Sequence, residues 1–270
     1  MSITGIIMAA VIVGGTGLFI GIFLGLADKK LTVKVDEKEE AILGVLPGNN
    51  CGGCGYPGCS GLAAAIAKGE APVDQCPVGG APVAAKIGAI MGQEVKETAR
   101  QVAFVKCAGT CDKTTVKYEY IGVEDCEMMA FIPGSGAKNC TFGCMGFGSC
   151  VKACPFDAIH IVNGIAVVDQ EACKACGKCV AKCPRHLIEL VPYDKQTRVA
   201  CSSHAKGKAV TTACELGCIG CKNVRKNCPS EAITVTDFCA HIDYDKCTGC
   251  GKCKEVHLRR KYLAGDCPGR

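Results

Sequence analysis

Six cysteines, at positions 140, 144, 154, 173, 176 and 179, recur at 214, 218, 228, 247, 250 and 253, each partner 74 residues further on. A spacing held through six positions marks an internal duplication. Ala158-Ile159 recurs at Ala232-Ile233 and Asp169 at Asp243 in the same register. Whatever this chain folds into must be built from two copies of one small cysteine-rich unit.

Its 270 residues contain 25 cysteines but only 8 Phe, 6 Tyr and no Trp, so large apolar side chains are too few for conventional cores. Either disulfides or metal must supply the missing cohesion. Disulfides would need an oxidising compartment, leave one thiol over and give no reason for repeated C-x2-C spacing. Zinc typically joins two C-x2-4-C knuckles, whereas Cys51, Cys54 and Cys59 stand within nine residues and Cys76 follows before Pro77. Glycines in that first run let backbone N–H groups turn toward sulfur. The C-x2-C-x4-C-x16-C pattern therefore points to a 4Fe-4S cluster; a zinc-stapled interaction scaffold is the alternative from another class.

Cys173, Cys176, Cys179, Cys183 and Pro184 form a complete C-x2-C-x2-C-x3-C-P run. In two-cluster ferredoxins such a run gives three ligands to one cluster and its last cysteine to the other. Applied to the first unit, this groups Cys173, Cys176 and Cys179 with Cys154. It groups Cys150 and Cys183 with Cys144 and, because Phe147 replaces the central cysteine, with Cys140. In the second unit Cys228, Cys247, Cys250 and Cys253 make a complete set. Val224 and His257 stand where Cys150 and Cys183 stand in the first unit, so both departures strike one site. Cys214, Cys218 and Cys221 remain there, with His257 or Cys267 as an additional ligand, and that fifth site is either rewired or empty. Cys107, Cys111, Cys126, Cys201 and Cys239 are left over. "VKCAGTC" and "VACSSH" each precede a unit, and Cys107, Cys111 and Cys126 could join another cysteine in a further cluster; the preferred reading makes them small buried hydrophobes.

The formal charge of +5 is counted with neutral thiols. Each oxidised 4Fe-4S core with four thiolates adds −2, so four clusters take the sum to about −3. No basic run interleaved with aromatics supports a nucleic-acid partner.

Ile3 to Ala27 is free of charge. As a helix it measures about 37 Å, enough for a transmembrane anchor, and it lacks the basic start of a signal peptide. Lys29, Lys30 and Lys34 follow it, which places the C-terminal body in the cytoplasm of a single-pass cell-membrane protein. Gly17, Gly21 and Gly25 share one face and suggest a neighbouring membrane helix. "DEKEEAILGVL", 36–46, reads as a short amphipathic helix.

The expected fold is α+β: a transmembrane anchor at 1–27, a linker at 28–48, a 4Fe-4S module at 49–90 and a connecting segment at 91–138. Two ferredoxin-like, βαβ-type units follow at 139–192 and 213–270, joined by a linker at 193–212, the second partly degenerate. No nucleotide-binding glycine loop or nucleophile elbow occurs. His160, His186, His204 and His241 do not gather at ligand spacing, so no catalytic residue is expected.

An anchor, a C-x2-C-x4-C-x16-C module and ferredoxin units, in this order, resemble the B subunits of Rnf complexes, the ion-translocating ferredoxin:NAD+ oxidoreductases. The resemblance covers nearly the whole chain. It implies an electron-transfer subunit fed by soluble ferredoxin, working with other membrane and NAD-binding subunits that couple NAD+ reduction to Na+ or H+ export. A stand-alone tethered polyferredoxin is the other reading. A corrinoid-linked methyl-transfer subunit shares a similar first module but needs a barrel domain that this chain has no room for.

Overall fold

The computed structural model describes residues 3–31, 36–95, 99–129 and 131–256. The charge-free N-terminal run is helical, α1 (Ile3–Leu31). The transmembrane anchor and the single-pass cell-membrane localisation with a cytoplasmic body are nevertheless corrected: among the described residues no helix is long and apolar enough to cross a membrane. Nothing lies within 4 Å of where a Cβ on Gly17, Gly21 or Gly25 would stand, so among the described residues that face has no neighbour.

Three helices build the N-terminal module: α2 (Glu37–Val45), α3 (Cys59–Ala67) and α4 (Gly80–Met91). Asp36 caps α2 by accepting a hydrogen bond from the Lys38 N–H at 3.0 Å, and three acidic residues in its first turn suit the positive end of the helix dipole. The α4 helix stops at Gly92, whose left-handed φ of 69° lets its N–H turn back to the Gly88 carbonyl. Ile42 of α2, Leu62 and Ile66 of α3 and Ile87 of α4 are fully buried together. Each such side chain contributes roughly 1.5–3 kcal/mol, and Cys76 lies in the same core.

The remainder consists of β1 (Gln101–Val105), α5 (Cys126–Met129), α6 (Ser149–Lys152), β2 (Ile159–Val162), β3 (Ile165–Val168), α7 (Lys178–Lys182) and β4 (Ile188–Pro192). After these come α8 (Gly207–Ala213), α9 (Asn223–Lys226), β5 (Ile233–Thr236), β6 (Cys239–Ile242) and α10 (Lys252–Val256). The duplication is written into the backbone: α6, β2, β3 and α7 reappear 74 residues later as α9, β5, β6 and α10. Asp169 donates its N–H to Ala158 O at 2.8 Å, and Asp243 donates to Ala232 O at 2.8 Å. The βαβ expectation is corrected, since all three two-stranded ladders, β1–β4, β2–β3 and β5–β6, are antiparallel. The hairpin connections are too short for a parallel crossover, which needs a dozen or more residues.

One continuous core runs through both units, from Val102 and Phe104 through Ile159, Leu187 and Val191 to Ile233 and Ile242. The segment expected as a linker at 193–212 contributes to it: Thr197, Arg198, Val199 and Ala200 are buried. The Arg198 guanidinium lies 5.5 Å from the Phe104 ring centroid and donates to Lys195 O and Pro192 O. The two units are thus packed as one body around the short helices and hairpins that carry the cysteines.

Candidate metal centres

Three hollows of nearly equal size are each lined by four thiols. Cys51, Cys54, Cys59 and Cys76 surround about 290 Å³ of free space, Cys154, Cys173, Cys176 and Cys179 about 310 Å³, and Cys228, Cys247, Cys250 and Cys253 about 330 Å³. The same three groups of cysteines stand together in the sequence reading, and local chain geometry gathers them here. Gly177 at φ 74° and Gly251 at φ 75° turn each C-x2-C-x2-C loop so that its three sulfurs face inward, and the hairpin returns the fourth cysteine to them. In the first module Asn50 Oδ1 accepts from the Cys59 N–H at 2.8 Å, fixing the entry to α3.

Backbone N–H groups point at the sulfurs. Ala103 donates to Cys173 Sγ at 3.3 Å, and Ala158 to Cys154 Sγ, Leu187 to Cys183 Sγ and Gly79 to Cys76 Sγ at 3.4 Å each. Such bonds favour charged sulfur and, in a cluster, its reduced state. Burial works the other way on a bare thiol, pushing Cys150 and Cys179 up to about 12, with neighbouring thiolates adding to the rise. Iron therefore has to displace protons from these sites when it binds.

Around Cys150 the structure departs from the expected grouping. After burial, the groups that raise its thiol most are Cys144, Cys126, Cys183 and Cys179. Cys126 is brought there by α5. Its N–H donates to Ser149 Oγ at 2.8 Å, while that hydroxyl donates to Asp125 Oδ2 at 3.1 Å. Lys182 of α7 joins Glu127 of α5 at 2.8 Å. Cys140 instead lies beside Cys107, since a Cβ on Gly143 would stand 3.4 Å from both sulfurs. The Arg185 guanidinium reaches into this region, donating to the carbonyls of Gly143 and Ser135 and, at 3.4 Å, to that of Cys140.

Cys214 and Cys218, expected in one set with Cys221, take up different partners. Cys214 lines a separate cavity with Cys107, Cys140, Cys144 and Cys201. Cys218 donates its N–H to Cys201 Sγ at 3.2 Å, and a hydrogen bond from Cys239 lowers the Cys201 thiol to about 7. Val224 is 3% exposed and fills core space where the first unit places Cys150. His257 and Cys267 lie outside the described residues. The sequence left Cys107, Cys126 and Cys201 as small buried hydrophobes, with a further cluster on Cys107, Cys111 and Cys126 as the other reading; the structure sets all three beside other thiols.

Among the described residues no group of three or more His, Cys, Asp or Glu side chains is arranged to hold a single metal ion. Thiols spread around a hollow suit a polynuclear core, whereas zinc draws sulfur to about 2.3 Å from one point. Four-thiol hollows carried on duplicated hairpin units define an iron–sulfur electron carrier. An Fe-S cluster family model matches residues 46–78 and a 4Fe-4S dicluster domain residues 134–184. The chain is 43% identical over 252 residues to the B subunit of the ion-translocating oxidoreductase complex of Methanosarcina acetivorans, covering 93% of this chain and 95% of that one. It is 44% identical over 243 residues to the B subunit of the Na+-translocating ferredoxin:NAD+ oxidoreductase complex of Acetobacterium woodii, covering 90% and 73%. To the B subunit of the proton-translocating ferredoxin:NAD+ oxidoreductase complex of Clostridium ljungdahlii it is 37% identical over 249 residues, covering 92% and 87%. The chain belongs to the family of B subunits of ion-translocating oxidoreductase complexes.

Proposed function

We propose that this chain takes electrons from reduced soluble ferredoxin and conducts them to the NAD-binding and other subunits of its complex. It is the iron–sulfur electron-transfer subunit of an ion-translocating ferredoxin:NAD+ oxidoreductase. Its residues hold at least four 4Fe-4S clusters: one on Cys51, Cys54, Cys59 and Cys76, one on Cys154, Cys173, Cys176 and Cys179, and one on Cys228, Cys247, Cys250 and Cys253. The fourth is held by Cys126, Cys144, Cys150 and Cys183, with Cys126 in the place expected for Cys140. When bound, such a group supplies one-electron storage. The protein's part is to space the sites, exclude water from them and set their potentials through N–H···S bonds and buried charge.

The observation that carries this reading is the contact between the first module and the first unit. A Cβ on Gly53, between Cys51 and Cys54, would stand 3.1 Å from the Cys176 Cβ. The loop of one hollow thus sits against a ligand of the next, as a conducting series requires. The named relatives move Na+ in one case and protons in another, and no residue described above selects between them.

Cys54→Ala and Cys250→Ala test the proposal in the purified complex. Each is expected to remove about four iron per chain and to abolish ferredoxin-driven NAD+ reduction while subunit composition stays intact. An unchanged rate with that iron gone would overturn conduction through these sites.

A further inference from the structure

A further cavity lies where the two duplicated units meet, and the C-x2-C runs do not account for it. It encloses about 800 Å³ of free space, open on one side, and its walls carry Cys107, Cys140, Cys201 and Cys214. Two of these cysteines precede or open the first unit and two the second. Cys140 and Cys214 are duplicates at the 74-residue offset. Cys107 and Cys201 are matched by what they bind: Cys107 Sγ accepts the Cys144 N–H at 3.2 Å, and Cys201 Sγ accepts the Cys218 N–H at 3.2 Å. Cys144 and Cys218 are themselves duplicates.

Cys107, Cys140 and Cys214 bring their sulfurs close together, and Cys201 lines the same cavity. A Cβ on Gly109 would stand 3.5 Å from Cys214 Sγ and 3.6 Å from Cys107 Sγ, and one on Gly143 would stand 3.4 Å from Cys107 Sγ and from Cys140 Sγ. A single atom at either point touches two sulfurs, yet no three of them close on a single-ion site. That is the spread of thiols around a polynuclear core. Cys107 and Cys201 also share the N–H···S bond found at Cys154, Cys173 and Cys183. Lys138 lines the same cavity, its Nζ held by Gly109 O at 3.2 Å and Gly164 O at 2.7 Å, where its charge would offset the −2 of a four-thiolate cluster. The β-bridge between Thr114 and Cys214 clamps the two units across the cavity.

We infer that Cys107, Cys140, Cys201 and Cys214 hold a further 4Fe-4S cluster at the junction of the two units, one ligand from each unit and one from the segment that precedes it. The site joins the electron path of one unit to that of the other and gives the leftover cysteines a use. It rests on the iron–sulfur reading proposed above.

The test compares iron and sulfide on anaerobically purified full-length chain for Cys140→Ala, Cys201→Ala and the double variant. Each single change is expected to lose about four iron, and the double change the same four rather than eight, because one shared cluster is lost once. Loss of eight in the double variant, or loss in one single variant but not the other, overturns the shared site. So does full iron in both. Should a variant fail to fold, alkylation of the wild-type holoprotein decides: Cys107, Cys140, Cys201 and Cys214 are expected to be protected until iron is chelated, and labelling of any of them beforehand overturns the inference. Wild-type chain without any iron would sink the electron-carrier reading instead, so the two failures are distinguishable.

Discussion

A Cβ on Gly53 would stand 2.6 Å from the carbonyl oxygen of Cys176 and 3.0 Å from its Cα. The N-terminal module therefore rests its cluster loop directly on the backbone of a cluster loop in the first ferredoxin unit. Only a residue without a side chain permits that approach. Gly53→Ala must push the two loops apart, because the obstacle is backbone and cannot rotate away. The expected result is full iron content with a several-fold slower transfer between the module and the first unit, read by rapid-mixing reduction with ferredoxin. Unaltered kinetics would show that electrons do not cross at this contact.

Substitution separates Cys126 from Cys140 as the fourth ligand proposed for this site. Cys126→Ala is expected to remove the cluster of Cys144, Cys150 and Cys183, since no other described thiol takes its position beside Ser149. Iron should fall by about four per chain, with loss of one signal in the electron paramagnetic resonance spectrum. An intact spectrum would return the fourth ligand to Cys140.

Arg185 places a cation whose field reaches Cys140, Cys144, Cys107 and Cys126, in that order of strength. Burial disfavours its charge, so the guanidinium is held by three backbone carbonyls rather than by water. A nearby cation stabilises the reduced, more negative cluster. Arg185→Met should therefore lower the midpoint potential of the neighbouring centre by tens of millivolts, a ~59 mV shift corresponding to about 1.4 kcal/mol for one electron. A redox titration followed by electron paramagnetic resonance measures it, and a raised potential would contradict the sign.

Phe238 adopts φ 63° where its duplicate, Gly164, sits at φ 72°. Both face a glycine that cannot accept a Cβ, Gly220 and Gly146 respectively, with the opposing backbone at 2.8 Å and 2.6 Å. The left-handed conformation costs a residue with a side chain roughly 1 kcal/mol or more, and the Phe238 ring is 45% exposed. Phe238→Gly is thus expected to stabilise the second unit by about 0.5–1 kcal/mol, after the extra chain entropy of glycine. The measurement is slower loss of cluster absorbance in urea; faster loss would mean that the ring contributes more than the strain costs.

Spacing alone determined much of this protein. The 74-residue register marks the duplication that α6, β2, β3 and α7 and their copies show, and loops of two or three residues leave their sulfurs few places to go. Counting uncharged residues was a weaker guide. It led to a membrane span over 1–27, whereas the structure holds no helix among the described residues that is long and apolar enough for one. Tertiary packing decided the rest. Ser149 and Lys182 draw α5, and with it Cys126, onto the first unit, and Cys107 meets Cys214 because the core closes both units over one cavity. Ligands a few residues apart are set by chain geometry; ligands brought from distant segments are set by burial and long-range pairing, which no local pattern encodes.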